Sequence, residues 1–149
     1  MPSQSPAEQF ALGRVLAPLA SEGVLVMGSG SITHNLRRVF ASGLGAQVDQ
    51  PEIAESAAFR RWMLARSAAL DWDGLFAYRA RAPHAVDMHP TDEHLLPWYI
   101  AAGAGGREHA PQRLHDSQTY GSLGAAIGFN SVWADVVGHI DGADVTLAD

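Results

Sequence analysis

A short apolar run that empties into a glycine loop constrains this chain more than any other feature of its sequence. Val24-Leu25-Val26-Met27 is followed at once by Gly28-Ser29-Gly30-Ser31, and helix-forming patterns stand on both sides. Ahead of the run, Ser5-Pro6-Ala7-Glu8 has the form of a helix start: Ser5 as N-cap, Pro6 at the first helical position, Glu8 closing a capping box. Phe10, Leu12, Val15, Leu16 and Leu19 then recur near helical spacing until Gly23 ends the pattern. Beyond the loop, Thr33 to Phe40 again looks helical. Four apolar residues without alternation fit a strand buried on both faces. Helix, buried strand, glycine loop and helix in succession predict an α/β architecture with at least one parallel strand.

The rest of the chain reads less sharply. After a loop from Ser42 to Gln50, the stretch Pro51 to Ala69 predicts a helix with Ile53, Ala57, Phe59, Trp62, Met63 and Leu64 available for packing. Asp71 is placed to cap another helix reaching Tyr78. Pro83 and Pro90 predict loop between Arg81 and Pro90. Thr91 is expected to cap a further helix with Asp92 and Glu93 in its first turn, where negative charge suits the dipole. Pro97 inside that pattern marks a kink or a boundary. Ala101 to Gly106 reads as small and flexible, and Thr119 to Phe129 as a strand. With 149 residues, 47% of them apolar and 17% charged, the chain is expected to form one domain over 1–149 with a real core. The tail 130–149 suggests no definite element.

Composition then removes several functions. The formal charge is −6, and ten basic residues scattered along the chain build no phosphate-tracking stripe, so nucleic acid is not an expected partner. There is no cysteine, which excludes disulfides, thiolate-held zinc, iron–sulfur clusters and thiol nucleophiles together. Met1 to Gln9 has neither a basic n-region nor an apolar h-region, and no apolar run approaches the ~20 residues that span a bilayer. A soluble cytoplasmic protein with no membrane partner is the expectation. Seven histidines remain, five of them (His84, His89, His94, His109, His115) within a single stretch, and imidazole is the obvious candidate for metal or proton chemistry.

Four of those histidines stand in three places of note. Gly28-Ser29-Gly30-Ser31-Ile32-Thr33-His34 lacks a third glycine and a Walker lysine, so the bare pattern fits a tight turn with a capping Thr33 better than an anion cradle. A histidine at the C-terminal end of a parallel strand, however, would face the crevice where α/β folds carry their sites, and His34 would sit there. In His89-Pro90-Thr91-Asp92-Glu93-His94, the last residue would lie in a first helical turn that keeps its ring neutral, ready to act as base or ligand. For an arbitrary sequence, a helix-surface histidine beside two carboxylates is the commoner meaning of that string. Leu114-His115-Asp116-Ser117 reads as a loop, and such a His-Asp pair is by itself most often solvated.

The three strings "VLVMGSGSITHNLRR", "APHAVDMHPTDEHLLPWYIAAGAGG" and "LHDSQTYGSL" occur together in one order. In that order and spacing the chain resembles the C-terminal half of LigB-type class III extradiol ring-cleavage dioxygenases, nearest to their DOPA-dioxygenase-like branch. The resemblance runs over roughly residues 6 to 129, and the H-P-T-D-E-H-L-L-P string is its most specific part. It implies a partial three-layer α/β/α sandwich with a mostly parallel sheet. It also implies O₂-dependent opening of a catechol-type aromatic diol at a non-haem metal, Fe(II) or Zn(II). Carried over, His34 and His94 match the catalytic, substrate-binding histidines, with His94 as acid/base. His115 matches the position that completes the metal site, and His89 takes a structural role.

Two departures temper these implications. The family's other two metal-ligating histidines lie in an N-terminal half, and nothing from Met1 to Gly23 replaces them, so the metal site is expected to be incomplete in this chain. The tail also diverges, since Leu123-Gly124-Ala125-Ala126 lacks the family's methionine and residues continue past Phe129. The chain is therefore expected to be a truncated dioxygenase or one part of a split one. It would then self-associate as a homo-oligomer or take a partner chain that supplies the missing half, because half of such a domain exposes an apolar face and a sheet edge. The alternative is a catalytically inactive binding module derived from the same family.

Overall fold

The computed structural model describes residues 5–35, 37–38, 51–119 and 122–128; for 113–119 and 122–128 it describes the backbone alone. Helix α1 spans Pro6–Leu16 and starts as its residues dictate: the Ser5 hydroxyl accepts the Glu8 backbone N–H, and Pro6 occupies the first turn. A 3₁₀ helix, Ala17–Glu22, carries the chain on to Gly23, whose φ of 76° stops it. Helix α2 is Ala54–Ala68. Two short helices follow, α3 (Trp72–Phe76), capped by the Asp71 carboxylate at the Gly74 N–H, and α4 (Tyr78–Arg81). Helix α5 is Ala85–Met88, α6 is Leu96–Gly105, and strands β1 (Gln112–Thr119) and β2 (Ser122–Gly128) form an antiparallel pair.

The core lies where α1 crosses α6 and where α2 to α4 close over it. Phe10, Phe59, Met63, Trp72, Leu75, Tyr78, Leu95, Leu96 and Tyr99 are all buried there. Each such side chain contributes on the order of 2 kcal/mol by leaving water. Phe10 meets Trp72 with ring centroids 4.7 Å apart, and the buried Tyr99 hydroxyl is satisfied by the Leu75 carbonyl at 2.7 Å. The crossing itself depends on two glycines. A Cβ on Gly13 would overlap the Ile100 carbonyl, and one on Gly103 would overlap the Phe10 carbonyl, so each helix leaves a gap for the other's backbone.

Several expectations change. Val24–Met27 is not a strand: it is irregular backbone, and Val24, Leu25 and Met27 are 46%, 51% and 77% exposed. An apolar run becomes a buried strand only where neighbouring strands accept its ladder, and none does so among the described residues. His34 is accordingly not at the end of a parallel strand. The helix expected from Thr91 begins instead at Leu96, because a proline fits the first turn of a helix and not its interior, and Pro97 takes that place. His94 therefore stands in the turn ahead of α6, outside any helix. Ala101 to Gly105, expected to be flexible, is the second half of α6 and buries Ala102 and Gly103. The expected loop from Arg81 to Pro90 contains α5. His115 lies in β1 opposite Ala126, not in a loop.

The helix expected over Thr33 to Phe40 is seen at Arg37 and Arg38. The expected loop over 42–50 and the tail 130–149 lie outside the described residues. No helix among the described residues is long and apolar enough to cross a membrane.

Candidate active site

Two histidines far apart in the chain are stacked. The rings of His34 and His94 lie 3.6 Å apart between centroids at an interplanar angle of 27°. Both are partly exposed, so the pair faces outward from a packed base.

Backbone bonds set that contact from both sides. Ser31 N–H donates to the His94 carbonyl at 2.8 Å, and His34 N–H donates to the Met88 carbonyl at 2.9 Å. The glycine loop can come this close because Gly30 has no side chain; a Cβ there would overlap the His94 carbonyl. One residue past His34, the Asn35 amide donates to the Asp87 carbonyl at 2.5 Å and to its carboxylate at 3.1 Å. Arg38 binds the same carboxylate and also Glu55, at 2.8 Å. Behind the loop, the buried hydroxyls of Thr33 and Ser56 meet at 3.1 Å, and Ser56 donates to Glu52 at 2.9 Å. On the other side, the Asp92 carboxylate accepts from the Tyr78 hydroxyl and from Arg79, while Arg79 also donates to the His89 carbonyl at 3.1 Å. The Asp92 carbonyl receives the N–H groups of Leu95 and Leu96 at 2.9 and 3.0 Å, which closes the turn that presents His94.

Electrostatics favour a neutral ring at His34. Burial pushes its imidazole below the usual range and the adjacent His94 ring adds to that, while the Glu93 carboxylate pulls the other way. Glu93 itself is held below the usual carboxylate range, first by the Thr91 hydroxyl that bonds it at 2.7 Å. Its carboxylate stands 4.0 Å from His94 Nε2. A neutral imidazole over a second imidazole, with an ionised carboxylate at the edge, can take a proton from an acidic hydroxyl and hand it on.

The structure thus brings His34 and His94 together, while the His115 side chain lies outside what it describes. His89 is fully buried beneath the pair. Sequence reasoning missed the residues that tie the two segments down: Asn35, Arg38 and Asp87 on one side, Tyr78, Arg79 and Asp92 on the other. Each is separated by 10 or more positions from a residue it bonds, so no local pattern marks it.

A resident metal does not fit the described residues. Among them no group of three or more His, Asp or Glu side chains comes together to hold one. Stacked rings also present their faces to each other, and do not aim nitrogen lone pairs at one point as a chelate requires.

Comparison with known proteins agrees with these motifs. Residues 1–128 match the family model described as the catalytic LigB subunit of aromatic ring-opening dioxygenase. A 4,5-DOPA dioxygenase extradiol of Beta vulgaris is 33% identical over 119 residues, covering 76% of this chain and 42% of that protein. The protein of the same name from Portulaca grandiflora is 31% identical over 133 residues, covering 84% and 44%. The chain thus spans less than half the length of these relatives. An uncharacterised protein of Escherichia coli K12, known from a crystal structure, shares the fold with a TM-score of 0.62 at 24% identity, over 83% of this chain and 49% of that one. On the match over residues 1–128, and on relatives above 30% identity, the chain belongs to the LigB family of aromatic ring-opening dioxygenases.

Proposed function

We propose that this chain is part of an extradiol ring-opening dioxygenase that cleaves a catechol-type ring with O₂, and that His34 and His94 move its protons. The observation that carries this reading is the stacked pair itself, two partly exposed imidazoles held by backbone bonds at one surface. In this reading His34, kept neutral by burial, orients the diol and accepts a hydroxyl proton. His94, beside the ionised Glu93, serves as the acid/base partner. Both oxygen atoms of O₂ enter the ring-opened product.

The reading extends to what surrounds the pair. Fe(II) or Zn(II) is the metal it requires, with His115 as the ligand from this chain and the others coming from outside the described residues. The three-layer α/β/α sandwich, a cytoplasmic location, and assembly as a homo-oligomer or with a partner chain belong to the same proposal. The second reading is a catalytically inactive binding module derived from the same family.

The test is O₂ uptake by the chain loaded anaerobically with Fe(II) and offered a panel of small catechols. Uptake with a yellow ring-opened product, lost in His94→Ala, supports the dioxygenase. Absence of uptake and of retained iron, with catechols still bound, supports the binding module instead.

A further inference from the structure

His89 is the one histidine of the described chain that is fully buried, and the proton transfers proposed above do not use it. Its ring lies against Phe59, 5.5 Å between centroids, and edge-on to Tyr78 at 6.4 Å. Nε2 is 2.7 Å from the Ile32 carbonyl oxygen. A carbonyl can only accept, so Nε2 carries the hydrogen and the neutral ring is the Nε2–H tautomer. Nδ1 is then an acceptor, and it has no hydrogen-bond partner among the described residues.

The position of that single bond matters. Ile32 lies two residues before His34, and His89 lies five before His94. The bond therefore joins the segments that carry the two stacked rings, from beneath. Everything around it is fixed: His89 N–H donates to Ala85 at 2.8 Å, and Arg79 holds the His89 carbonyl at 3.1 Å while binding Asp92 in the next turn. We infer that His89 is a positioning residue, whose ring bond to the Ile32 carbonyl sets the separation at which His34 and His94 stack. The role needs a donor at the Nε2 position in a buried, uncharged group, and a neutral imidazole meets that need. This inference rests on the proposed function only for its catalytic consequence; the geometry stands apart from it.

The experiment compares the full chain with His89→Gln, whose amide nitrogen reaches the Nε2 position and keeps the donor, and with His89→Met, which keeps the bulk and loses it. Stacked imidazoles shift each other's ring protons upfield, so NMR of selectively labelled histidines reads the geometry without substrate or metal. His34 and His94 are assigned from His34→Gln and His94→Gln. The expected result is upfield-shifted ring protons in the wild type and in His89→Gln. Their return toward free-imidazole positions is expected in His89→Met, with helical circular dichroism retained and O₂ uptake at least tenfold lower in that variant alone. Wild-type ring shifts in a folded His89→Met would overturn the inference, and so would their loss in a folded His89→Gln. Should His89→Met fail to fold, the His89→Gln spectrum decides by itself. Absence of O₂ uptake in the wild type would show that the chain is not active on its own, and would leave the NMR comparison intact.

Discussion

Sealed between Phe59 and Tyr78, the His89 ring would on protonation bring a charge to a place that offers its second nitrogen nothing. Burial accordingly pushes its imidazole down to about 4, from an ordinary 6.5. The consequence for stability follows from proton counting. Above 6.5 both the folded and unfolded chains hold this ring neutral, and its contribution is complete. As the pH falls from 6.5 to about 4 the unfolded chain takes up a proton that the folded one refuses, so stability is lost across that window. At ~1.4 kcal/mol per pH unit the loss amounts to ~3 kcal/mol. Urea midpoints measured at pH 7.5 and 4.5 are expected to drop for the wild type and to drop less for His89→Gln; equal slopes would contradict the assignment. His34 and His94, by contrast, are partly exposed and touch the rest of the fold chiefly through their backbones. Alanine at either is expected to leave the thermal melt nearly unchanged and to lower O₂ uptake by about 10² to 10⁴-fold, the usual worth of a positioned acid or base. A variant that melted early would point to a packing role instead.

Between elements, the tightest constraint is the crossing of α1 and α6. Gly13 and Gly103 each face a carbonyl of the opposite helix. Gly13→Ala or Gly103→Ala favours the isolated helix by ~1 kcal/mol. The added methyl must nonetheless push two backbones apart, and overpacking of this kind destabilises by ~3 kcal/mol. Both melting temperatures are expected to fall, and a rise in either would mean that the helices do not cross here. Asp71→Ala removes a cap that bonds Gly74 N–H at 2.9 Å, and is expected to cost about 1 kcal/mol. Caps and proline positions were legible in advance because they act within a few residues: Ser5, Pro6 and Asp71 all do what their types suggest. Thr91 and the acidic turn after it do not set the start of α6. Pro97 in fact dictates it, since a pyrrolidine ring clashes inside a helix and not in its first turn.

At the scale of the whole molecule, the exposed stretch Val24–Met27 is the least settled surface. Three large apolar side chains stand in water on backbone that joins no ladder among the described residues. Under the partner proposal this stretch is covered by a second copy or by another chain. Sedimentation velocity of the isolated chain is then expected to show self-association, reduced by Leu25→Lys together with Met27→Lys. A monodisperse monomer with a cooperative melt would count against it.

Several properties of this protein were settled by sequence alone. The absence of cysteine makes imidazole the obvious candidate for metal or proton chemistry, the string from His89 to Pro97 carries the family, and the starts of α1 and α3 follow from their N-caps. These depend on residue types and on neighbours a few positions away. Tertiary structure alone decided that His34 stacks on His94, that His89 bonds Ile32 beneath them, and that Asp87 and Asp92 are tied by Arg38 and Arg79. It also left the apolar run after Gly23 in solvent. Those outcomes hang on which distant segments meet, because a side chain's type states what it can bond while only packing supplies the partner.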